Sequence, residues 1–411
     1  MSTTTAPARP TSRNQGRVAT WLERFDSPVT TYYLLVCLTG GLVVFGLIMV
    51  LSASAIVSLS ATKANSAYSI FLSQALFAAI GTVALLVAAR IPVSGWRRLA
   101  LPLMAAAVVL QLLVLTPLGV SENGNRNWLD LKVLTLQPSE LIKLGLALTG
   151  GLVLATKRRQ LQRFTHVLVP YLVPIAAVAV VSVILGHDLG TVMILGAIIA
   201  GVLFAAGIPA KWFVLAGIPF VGVAAAFVVT SSNRLSRFDV WLGRDTNPFG
   251  AARQPIHGKY ALADGGWLGV GLGQSREKWQ YLSEPHNDFI FAIIGEELGL
   301  PGTLAVLALF AALALTCYRI VMRSSDFFVR VTTAGIMTWI LVQALINIGA
   351  VIGMLPVIGV PLPLVSSGGS SLVTTMFALG ILLSFARHEP GCAEALAARP
   401  SMRSRVLRRW R

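Results

Sequence analysis

Repeated apolar runs that are long enough to cross a bilayer constrain this chain more than any other feature. The runs lie near residues 32–53, 69–89, 98–118, 139–156, 167–185, 189–208, 212–230, 288–318, 328–354 and 366–386. A transmembrane helix needs about 20 predominantly apolar residues. A charged fraction of only 12% and a mean hydropathy of +0.74 exclude an ordinary soluble domain. The sequence therefore predicts an all-α, polytopic integral membrane protein with about ten transmembrane helices.

The polar segments around these runs predict the domain organisation. Residues 1–30 are polar and rich in Pro and Thr, and we expect a disordered cytoplasmic N-terminal tail there rather than a cleaved signal. Residues 31–388 form the expected ten-helix membrane domain with one large extracytoplasmic loop at 231–287, and residues 389–411 form a basic cytoplasmic tail. Cys37, Cys317 and Cys392 are scattered, without the spacing of a metal site or a disulfide framework.

The net charge of +16 raises the question of a nucleic-acid partner. The basic residues concentrate in the N-terminal tail, in the connections between runs 2 and 3, 4 and 5, and 8 and 9, and in the C-terminal tail. Such a distribution is the positive-inside signal of a membrane protein, and it predicts that both termini are cytoplasmic. We therefore expect the charge to contact anionic lipids and not nucleic acid, and we expect the 231–287 loop to lie outside the cell.

A carboxylate opens the eighth apolar run, in the stretch "SEPHNDFIFAIIGEELG" (Ser283–Gly299). Two interpretations of Asp288 are open. In the first, Asn287 or Asp288 caps the helix that follows. In the second, Asp288 is a general base or a cation ligand at the outer rim of the bundle, with His286 as a polar neighbour.

Two further carboxylates, Glu296 and Glu297, follow about 12 Å deeper along the same helix. At least one must face the bundle, because adjacent helical residues point about 100° apart. A buried ionised glutamate costs several kcal/mol unless it is paired. We expect a structural role, by pairing with a basic group or capping a broken helix, and direct chemistry is the alternative.

The stretch "LQPSELIKLGL" (Leu136–Leu146) places an acid and a base on one helical face. Glu140 and Lys143 are three residues apart, which is the spacing of an ion pair. Lys143 lies about one turn inside a membrane helix, however, so we expect it to face a polar cavity. Together with Arg126 from the preceding loop, it would hold a phosphate anion.

Two outer connections have polar or flexible residues at special positions. Asp188 in "GHDLGT" (Gly186–Thr191) is either a solvated turn residue or part of the polar site. The stretch "GVPLPLVSSGGSS" (Gly359–Ser371) predicts either a re-entrant turn facing a polar cavity or a short loop with a helix cap. We expect Gln343 and Asn347 to form hydrogen bonds between helices.

A glycine ladder, "ADGGWLGVGLGQSREKW", occupies the large loop. Its glycines do not follow the pattern G-x-G-x-x-G, and no strand-turn-helix unit surrounds them, so dinucleotide binding is excluded. The ladder predicts a closely packed segment or a mobile one over a substrate. Composition and spacing alone thus indicate a membrane protein with an outward polar site, and they leave enzyme, transporter and scaffold open.

The motifs taken together resemble the SEDS family of bacterial shape, elongation, division and sporulation proteins. The resemblance covers nearly the whole membrane region, in family order. It is carried by "GLIMVLSAS", "WLDL…QPSELIKL", "HDLGT", "GGWLGVGLGQS", "EPHNDFIFAIIGEELG" and "LINIGAVIGMLPVIGVPLPLVSSGGSS". The wording "IGEELG" and "LSAS" is more similar to the division branch than to the elongation branch.

This resemblance implies a peptidoglycan glycosyltransferase that polymerises lipid II, an undecaprenyl-pyrophosphate-linked disaccharide peptide, into β-1,4 glycan strands. It implies that Asp288 is the essential acid. Further positions match the cavity-lining motif of the family and its last outer loop, and these are Gln137, Glu140, Lys143, Ser366, Ser367 and Gly368. Three matches are imperfect. The last outer loop has a serine where the family often has tyrosine, Asn127 stands where the family commonly has Arg, and Gly186-His187 replaces Gln-Pro before Asp188.

The implied mechanism is an inverting transfer in which Asp288 accepts the proton of a sugar hydroxyl. Lys143, Arg126, Lys278 or a divalent cation such as Mg²⁺ or Mn²⁺ would stabilise the departing pyrophosphate. Members of the family usually work with a class B penicillin-binding protein, so the resemblance implies such a partner, together with other divisome membrane proteins. It also implies a location at the septum of the bacterial cytoplasmic membrane. The alternatives are a lipid II flippase, an elongation-type polymerase, and a scaffold for division partners.

Overall fold

The computed structural model describes residues 28–61, 66–122, 125–130, 135–161, 165–389, 391–392 and 394. The predicted tails at 1–30 and 389–411 lie almost entirely outside these ranges.

Apolar helices dominate the described part of the chain. Eight are long enough to cross a membrane: α1 (Pro28–Ala61), α2 (Ser69–Ala88), α3 (Val93–Leu113), α4 (Pro138–Thr156), α7 (Ala210–Val229), α10 (Ile290–Arg323), α11 (Phe327–Val351) and α12 (Ser370–Arg387). Two are shorter, α5 (Val169–Ile184) and α6 (Leu189–Ala205). The helices α8 (Ser232–Trp241) and α9 (Arg253–Gly265) lie in the large loop. These ten apolar helices confirm the predicted polytopic all-α class.

Contacts between the basic connections place those connections at one end of the bundle, which we call the basic end. Arg97 at the start of α3 forms a 2.6 Å ion pair with Asp326, which precedes α11. The Arg158 guanidinium lies 4.9 Å from the ring centroid of Phe327. The connections after α2, α4 and α10 therefore meet at one end, as the charge pattern predicts.

The opposite end, which we call the loop end, contains the large loop and a small sheet. Strands β1 (Gly119–Glu122), β2 (Asn125–Asp130) and β3 (Thr135–Leu136) pair antiparallel in the order β1-β2-β3. The Arg126 N–H donates to the Gly186 carbonyl at 3.0 Å, which ties the sheet to the turn between α5 and α6. The helical periodicity of the membrane runs contained no signal for this sheet.

A kink divides α10 into two parts. Gly299 has φ 64° and ψ −156°, and Pro301 follows it. The part from Pro301 to Arg323 is about 34 Å long, which is long enough by itself to span the ~30 Å hydrocarbon core. The first part, Ile290–Leu298, lies between the kink and the turn that contains Asp288.

The two glutamates just before the kink attach the large loop to the bundle. Glu296 accepts hydrogen bonds from the Ser275 hydroxyl and the Arg276 N–H, both at 2.6 Å. Glu297 accepts from the Ser52 hydroxyl at 2.7 Å and pairs with the Lys278 ammonium at 3.0 Å. Both glutamates are fully buried, and their contacts agree with the structural interpretation of these acids.

The glycine ladder packs tightly against the kink. The Val270 and Gly271 N–H groups donate to the carbonyls of Glu296 and Glu297 at 2.9 and 3.0 Å. A Cβ atom on Gly265 would collide with the Gly295 carbonyl, and the position of Gly269, which has φ 78°, is equally crowded. The close-packed alternative is therefore the one the structure adopts.

We expect Gly265→Ala to destabilise the fold, because the added methyl group meets backbone atoms that cannot move aside. Overpacking of this kind costs about 1–3 kcal/mol. Thermal unfolding of the purified protein in detergent should show a lower midpoint than the wild type. Gly217→Ala in α7 is the matched control, because no atom lies within 4 Å of its added Cβ. Equal midpoints for the two variants would contradict the packing described here.

Candidate functional site

A polar cavity of about 210 Å³ lies at the loop end. We call it the Asp288 cavity. Seven of the predicted site residues line it: Gln137, Glu140, Lys143, Asp188, Asp288, Ser367 and Gly368. Four polar residues that were not predicted as site residues also line it, namely Asn125, Asn127, Arg237 and Glu284, and so does Gln343, which was predicted to form hydrogen bonds between helices. The cavity thus collects polar groups from seven separate segments of the chain.

Asp288 lies in the turn that precedes α10. The N-cap residue of α10 is Phe289, and no side chain caps the helix, so the capping interpretation of Asn287 and Asp288 is wrong. Burial of the carboxyl group and the nearby Glu284 charge raise the pKa of Asp288 to about 6, against the opposing influence of the Arg237 cation. Asp288 is thus enclosed by protein yet still faces the cavity.

Side chains from α11 and from the segment before α12 hold this turn in place. The Asn347 amide donates to the carbonyls of Asp288 and Val360 at 2.8 and 2.7 Å. The Ser366 hydroxyl donates to the Asn287 carbonyl at 2.7 Å, and the Ser367 N–H donates to the His286 carbonyl at 2.9 Å. Ser366 therefore supports the turn from behind, whereas Ser367 lines the cavity.

The segment before α12 faces the polar cavity, as the prediction of a cavity-facing turn requires. The N-cap of α12 is Gly369, without a side-chain cap, so the alternative of a loop with a serine cap is wrong. The Ser366 carbonyl accepts from Gln74 at 3.0 Å, and the Ser366 hydroxyl accepts from the Leu362 N–H at 2.8 Å. Irregular backbone among apolar helices is tolerated because its polar groups find partners.

Lys143 occupies the floor of the cavity and is almost fully buried, at 1% exposure. Its ammonium donates to Glu140 at 2.7 Å and to the Gln343 side-chain oxygen at 3.0 Å. It also lies 5.1 Å from the Trp339 ring centroid. Both interpretations of Lys143 are therefore correct, because it forms an ion pair and faces a polar cavity. The second Glu140 oxygen, Oε2, is buried and has no hydrogen-bond partner among the described residues.

Arg237 on α8 is the cation that the sequence analysis missed. Its guanidinium has one long hydrogen bond within the described chain, 3.4 Å to the Val357 carbonyl. A guanidinium offers five N–H donors, so most of its capacity is available to a ligand. The signal in the sequence was faint. Asn233, Arg237 and Trp241 recur every fourth residue, as one face of an amphipathic helix requires, but they lie inside a long polar loop.

Asp188 combines the two roles that the sequence left open. Its carboxylate caps α6 by accepting from the Thr191 N–H and hydroxyl at 2.9 and 2.6 Å. It also lines the Asp288 cavity.

Arg126 does not reach the cavity. Neighbouring residues of a strand point to opposite faces, and here Asn127 faces the cavity while the Arg126 guanidinium turns back to the Thr116 carbonyl at 2.6 Å. Asn127, at the position that commonly carries Arg in the family, thus presents a neutral amide to the cavity. The predicted role of Arg126 in anion binding at this cavity therefore needs correction.

Lys278, His286, Glu296 and Glu297 also lie outside the cavity lining. Lys278 pairs with Glu297 and donates to the Gly273 carbonyl at 2.6 Å, so its predicted contact with pyrophosphate finds no support in its position. Burial lowers the pKa of His286, and its Nε2 is 3.9 Å from Glu284. His286 acts on the site through its carbonyl group, which Ser367 binds.

The described residues contain no cluster of three or more His, Cys, Asp or Glu side chains that would hold a metal ion. Mg²⁺ is commonly bound by only one or two carboxylates together with substrate phosphates. Asp288 and Glu284 at this cavity fit that weaker pattern.

Comparisons with known proteins agree with this architecture. A family model described as "Cell cycle protein", covering FtsW, RodA and SpoVE, matches residues 32–390. The probable peptidoglycan glycosyltransferase FtsW of Mycobacterium tuberculosis is 42% identical over 399 residues, which cover 97% of this chain and 75% of that protein. Stage V sporulation protein E of Bacillus subtilis is 36% identical over 356 residues, covering 86% and 96%.

Solved structures share the fold. One chain, from work described as "Structural coordination of polymerization and crosslinking by a peptidoglycan synthase complex", matches with a TM-score of 0.68 at 24% identity, covering 87% of this chain and 98% of that one. RodA of Thermus thermophilus matches with a TM-score of 0.62 at 23% identity, covering 87% and 96%. With the family match over most of its length, this chain belongs to the SEDS family of cell cycle proteins that comprises FtsW, RodA and SpoVE.

Proposed function

We propose that this protein is a peptidoglycan glycosyltransferase that polymerises lipid II into β-1,4 glycan strands during septal wall synthesis. The observation that carries the proposal is Asp288, a carboxylate with a pKa near neutrality that faces a polar cavity beside the available cation Arg237. The names of the curated relatives support the same activity.

Asp288 acts as the general base. It accepts the proton of the acceptor sugar's 4-hydroxyl while that oxygen forms a bond to the anomeric carbon of the donor. The bond from that carbon to the undecaprenyl pyrophosphate breaks, and the pyrophosphate leaves with the electron pair. Attack opposite the leaving group converts an α-linkage into a β-linkage. A pKa of about 6 keeps the carboxylate ionised at neutral pH while leaving it basic enough to accept a proton.

Arg237 is best placed to stabilise the leaving pyrophosphate. Lys143 is already neutralised by Glu140, so it orients the floor of the cavity and adds little net positive charge. The Arg237 guanidinium has free donors and matches phosphate oxygens in a bidentate manner. Glu284, together with the substrate phosphates, would hold any divalent cation here, which would supply further charge neutralisation to the pyrophosphate.

The proposed setting is the bacterial cytoplasmic membrane, with the loop end outside and both termini in the cytoplasm. The clustering of basic connections at the other end supports this orientation. A class B penicillin-binding protein is the proposed partner, and a structural neighbour comes from a peptidoglycan synthase complex. Further proposed contacts are other divisome membrane proteins and anionic lipids at the basic end.

The packing disfavours a flippase. A flippase needs polar groups through both halves of the membrane, but the α4 positions beyond Lys143 are buried among apolar side chains, including Leu144, Leu146 and Leu148. The polar groups of the cavity stop at the floor that Lys143 forms. An elongation-type polymerase would use the same chemistry, and the similarity to FtsW over 97% of the chain favours division.

We expect Asp288→Asn to reduce polymerisation of fluorescent lipid II by a factor of about 10²–10⁴, the usual contribution of a general base. The assay uses purified protein with its class B partner in detergent and measures glycan strands on gels. Asp264→Asn, an exposed carboxylate of α9 away from the cavity, is the control and should retain full activity. If the Asp288→Asn protein polymerises as fast as the control, Asp288 is not the base.

The pH dependence should report the Asp288 carboxylate. Because its pKa is raised to about 6, the basic form is lost as the pH falls through that value, and kcat/KM should fall with it. Arg237 holds this pKa down, so Arg237→Gln should move the acidic limb of the profile to higher pH. Steady-state rates between pH 5 and 8 would test this, and an unmoved limb would show that the two groups are not coupled.

Impermeant labelling should place the loop end outside. A cysteine at Ser283, in a background whose three native cysteines are replaced by alanine, should react with a membrane-impermeant maleimide on intact spheroplasts. A cysteine at Gln160, at the basic end, should react only after the membrane is opened. The reverse pattern would overturn the orientation and the proposed reaction.

A further inference from the structure

A second cavity, of about 550 Å³, lies beside the Asp288 cavity. We call it the α8 cavity. It is lined by α8, by residues 243–252, by the start of α9 and by the turn that follows α11. Arg237 lines both cavities. A smaller space of about 140 Å³ is also lined by Arg237, and it shares Asn233 with the α8 cavity and Asp188 with the Asp288 cavity. The three spaces therefore form one row with Arg237 at the junction.

One face of α8 forms the wall along this row. Asn233, Arg237 and Trp241 follow each other at intervals of four residues, so each lies about 6 Å further along the helix. All three line the α8 cavity. Trp241 is 43% exposed. The wall thus presents an amide, a guanidinium and an aromatic ring, and the guanidinium in the middle also lines the Asp288 cavity.

The proposed reaction needs more room than the Asp288 cavity provides. Two lipid-linked saccharides, a donor and an acceptor, must reach Asp288 together. Sites for drug-sized ligands usually measure about 300–1,000 Å³, and a disaccharide–peptide headgroup is at least as large as such a ligand. The Asp288 cavity at about 210 Å³ lies below this range, and the α8 cavity at about 550 Å³ lies within it.

The charges of the α8 cavity suit an anionic saccharide. The Lys259 ammonium has no hydrogen bond or ion pair within the described chain, and it lies next to Gly353. Arg253 is occupied, because its guanidinium binds the carbonyls of Gln280 and Tyr281. Lys259 and Arg237 therefore remain available to carboxylates or phosphates, with Asp245 as the acidic side chain of the lining.

Resting on the proposed function, we propose that the α8 cavity is a second saccharide subsite, which holds the disaccharide–peptide headgroup of one of the two lipid-linked substrates. Trp241 stacks on the apolar face of a sugar ring. Asn233 and Gln254 bind sugar hydroxyls, and Lys259 binds a carboxylate of the peptide. Arg237 marks the boundary, where the pyrophosphate and the reacting carbon meet Asp288.

Photo-crosslinking tests occupancy independently of turnover. The protein carries Asp288→Asn and a benzoylphenylalanine crosslinker in place of Gln254, which lines the α8 cavity and not the Asp288 cavity. Labelled lipid II should crosslink at this position. Unlabelled lipid II should compete, whereas undecaprenyl pyrophosphate, which lacks the saccharide, should not. The crosslinker in place of Trp267, an exposed residue of the same loop, is the control.

A second variant tests the stacking wall. Trp241→Ala should lower the crosslink yield at position 254 by about threefold to tenfold, the usual worth of an aromatic contact. In the catalytically intact protein it should raise KM for lipid II by a similar factor and shorten the strands. Trp267→Ala, which removes an exposed tryptophan outside both cavities, should change none of these quantities.

The outcomes separate the subsite from the proposed function. A crosslink at position 254 no stronger than at position 267, or one that undecaprenyl pyrophosphate removes equally well, overturns the subsite. So does a Trp241→Ala protein with wild-type KM and strand length. If the wild type with its partner makes no strands but position 254 still crosslinks lipid II specifically, the subsite stands and the glycosyltransferase proposal fails.

Discussion

The architecture of the site depends on how two irregular backbone segments satisfy each other's hydrogen bonds inside an apolar bundle. The turn before α10 and the segment before α12 are bridged by Asn347 and by the hydroxyl and N–H groups of Ser366 and Ser367. An unpaired buried peptide group would cost about 1–3 kcal/mol. These partners come from α11 and from the segment before α12. The position of Asp288 is therefore determined by the packing of these elements and does not depend on a free loop.

Much of the fold could be predicted from the sequence because the bilayer imposes a simple length rule. The ten apolar runs correspond to ten apolar helices, including the short pair separated at Gly186. The kink at Gly299 and the β1-β2-β3 sheet could not be predicted in the same way. Both depend on contacts with residues far away in the chain, and neither changes the hydrophobic period on which the prediction rests.

The candidate site was predicted best where a charge interrupts an apolar run. Asp288, Glu140 and Lys143 could be predicted for that reason, and all three line one cavity. Arg126 was assigned wrongly because the alternation of a strand places it on the far face, a distinction of a single residue that needs the strand register. Arg237 was missed because a loop arginine is ordinary in sequence, and only the folded chain brings α8 to the carboxylate.

The half-helix that ends at the Gly299 kink also connects the large loop to the turn that contains Asp288. The half-helix from Ile290 to Leu298 runs from the turn of Asp288 to the kink without an intervening loop. At the kink, the Val270 and Gly271 N–H groups of the large loop donate to the carbonyls of Glu296 and Glu297 in the half-helix. The half-helix is therefore held at both ends, by the large loop at the kink and by Asn347 and Ser366 at the turn. A displacement of the large loop would be transmitted to the Asp288 carboxylate through continuous helix.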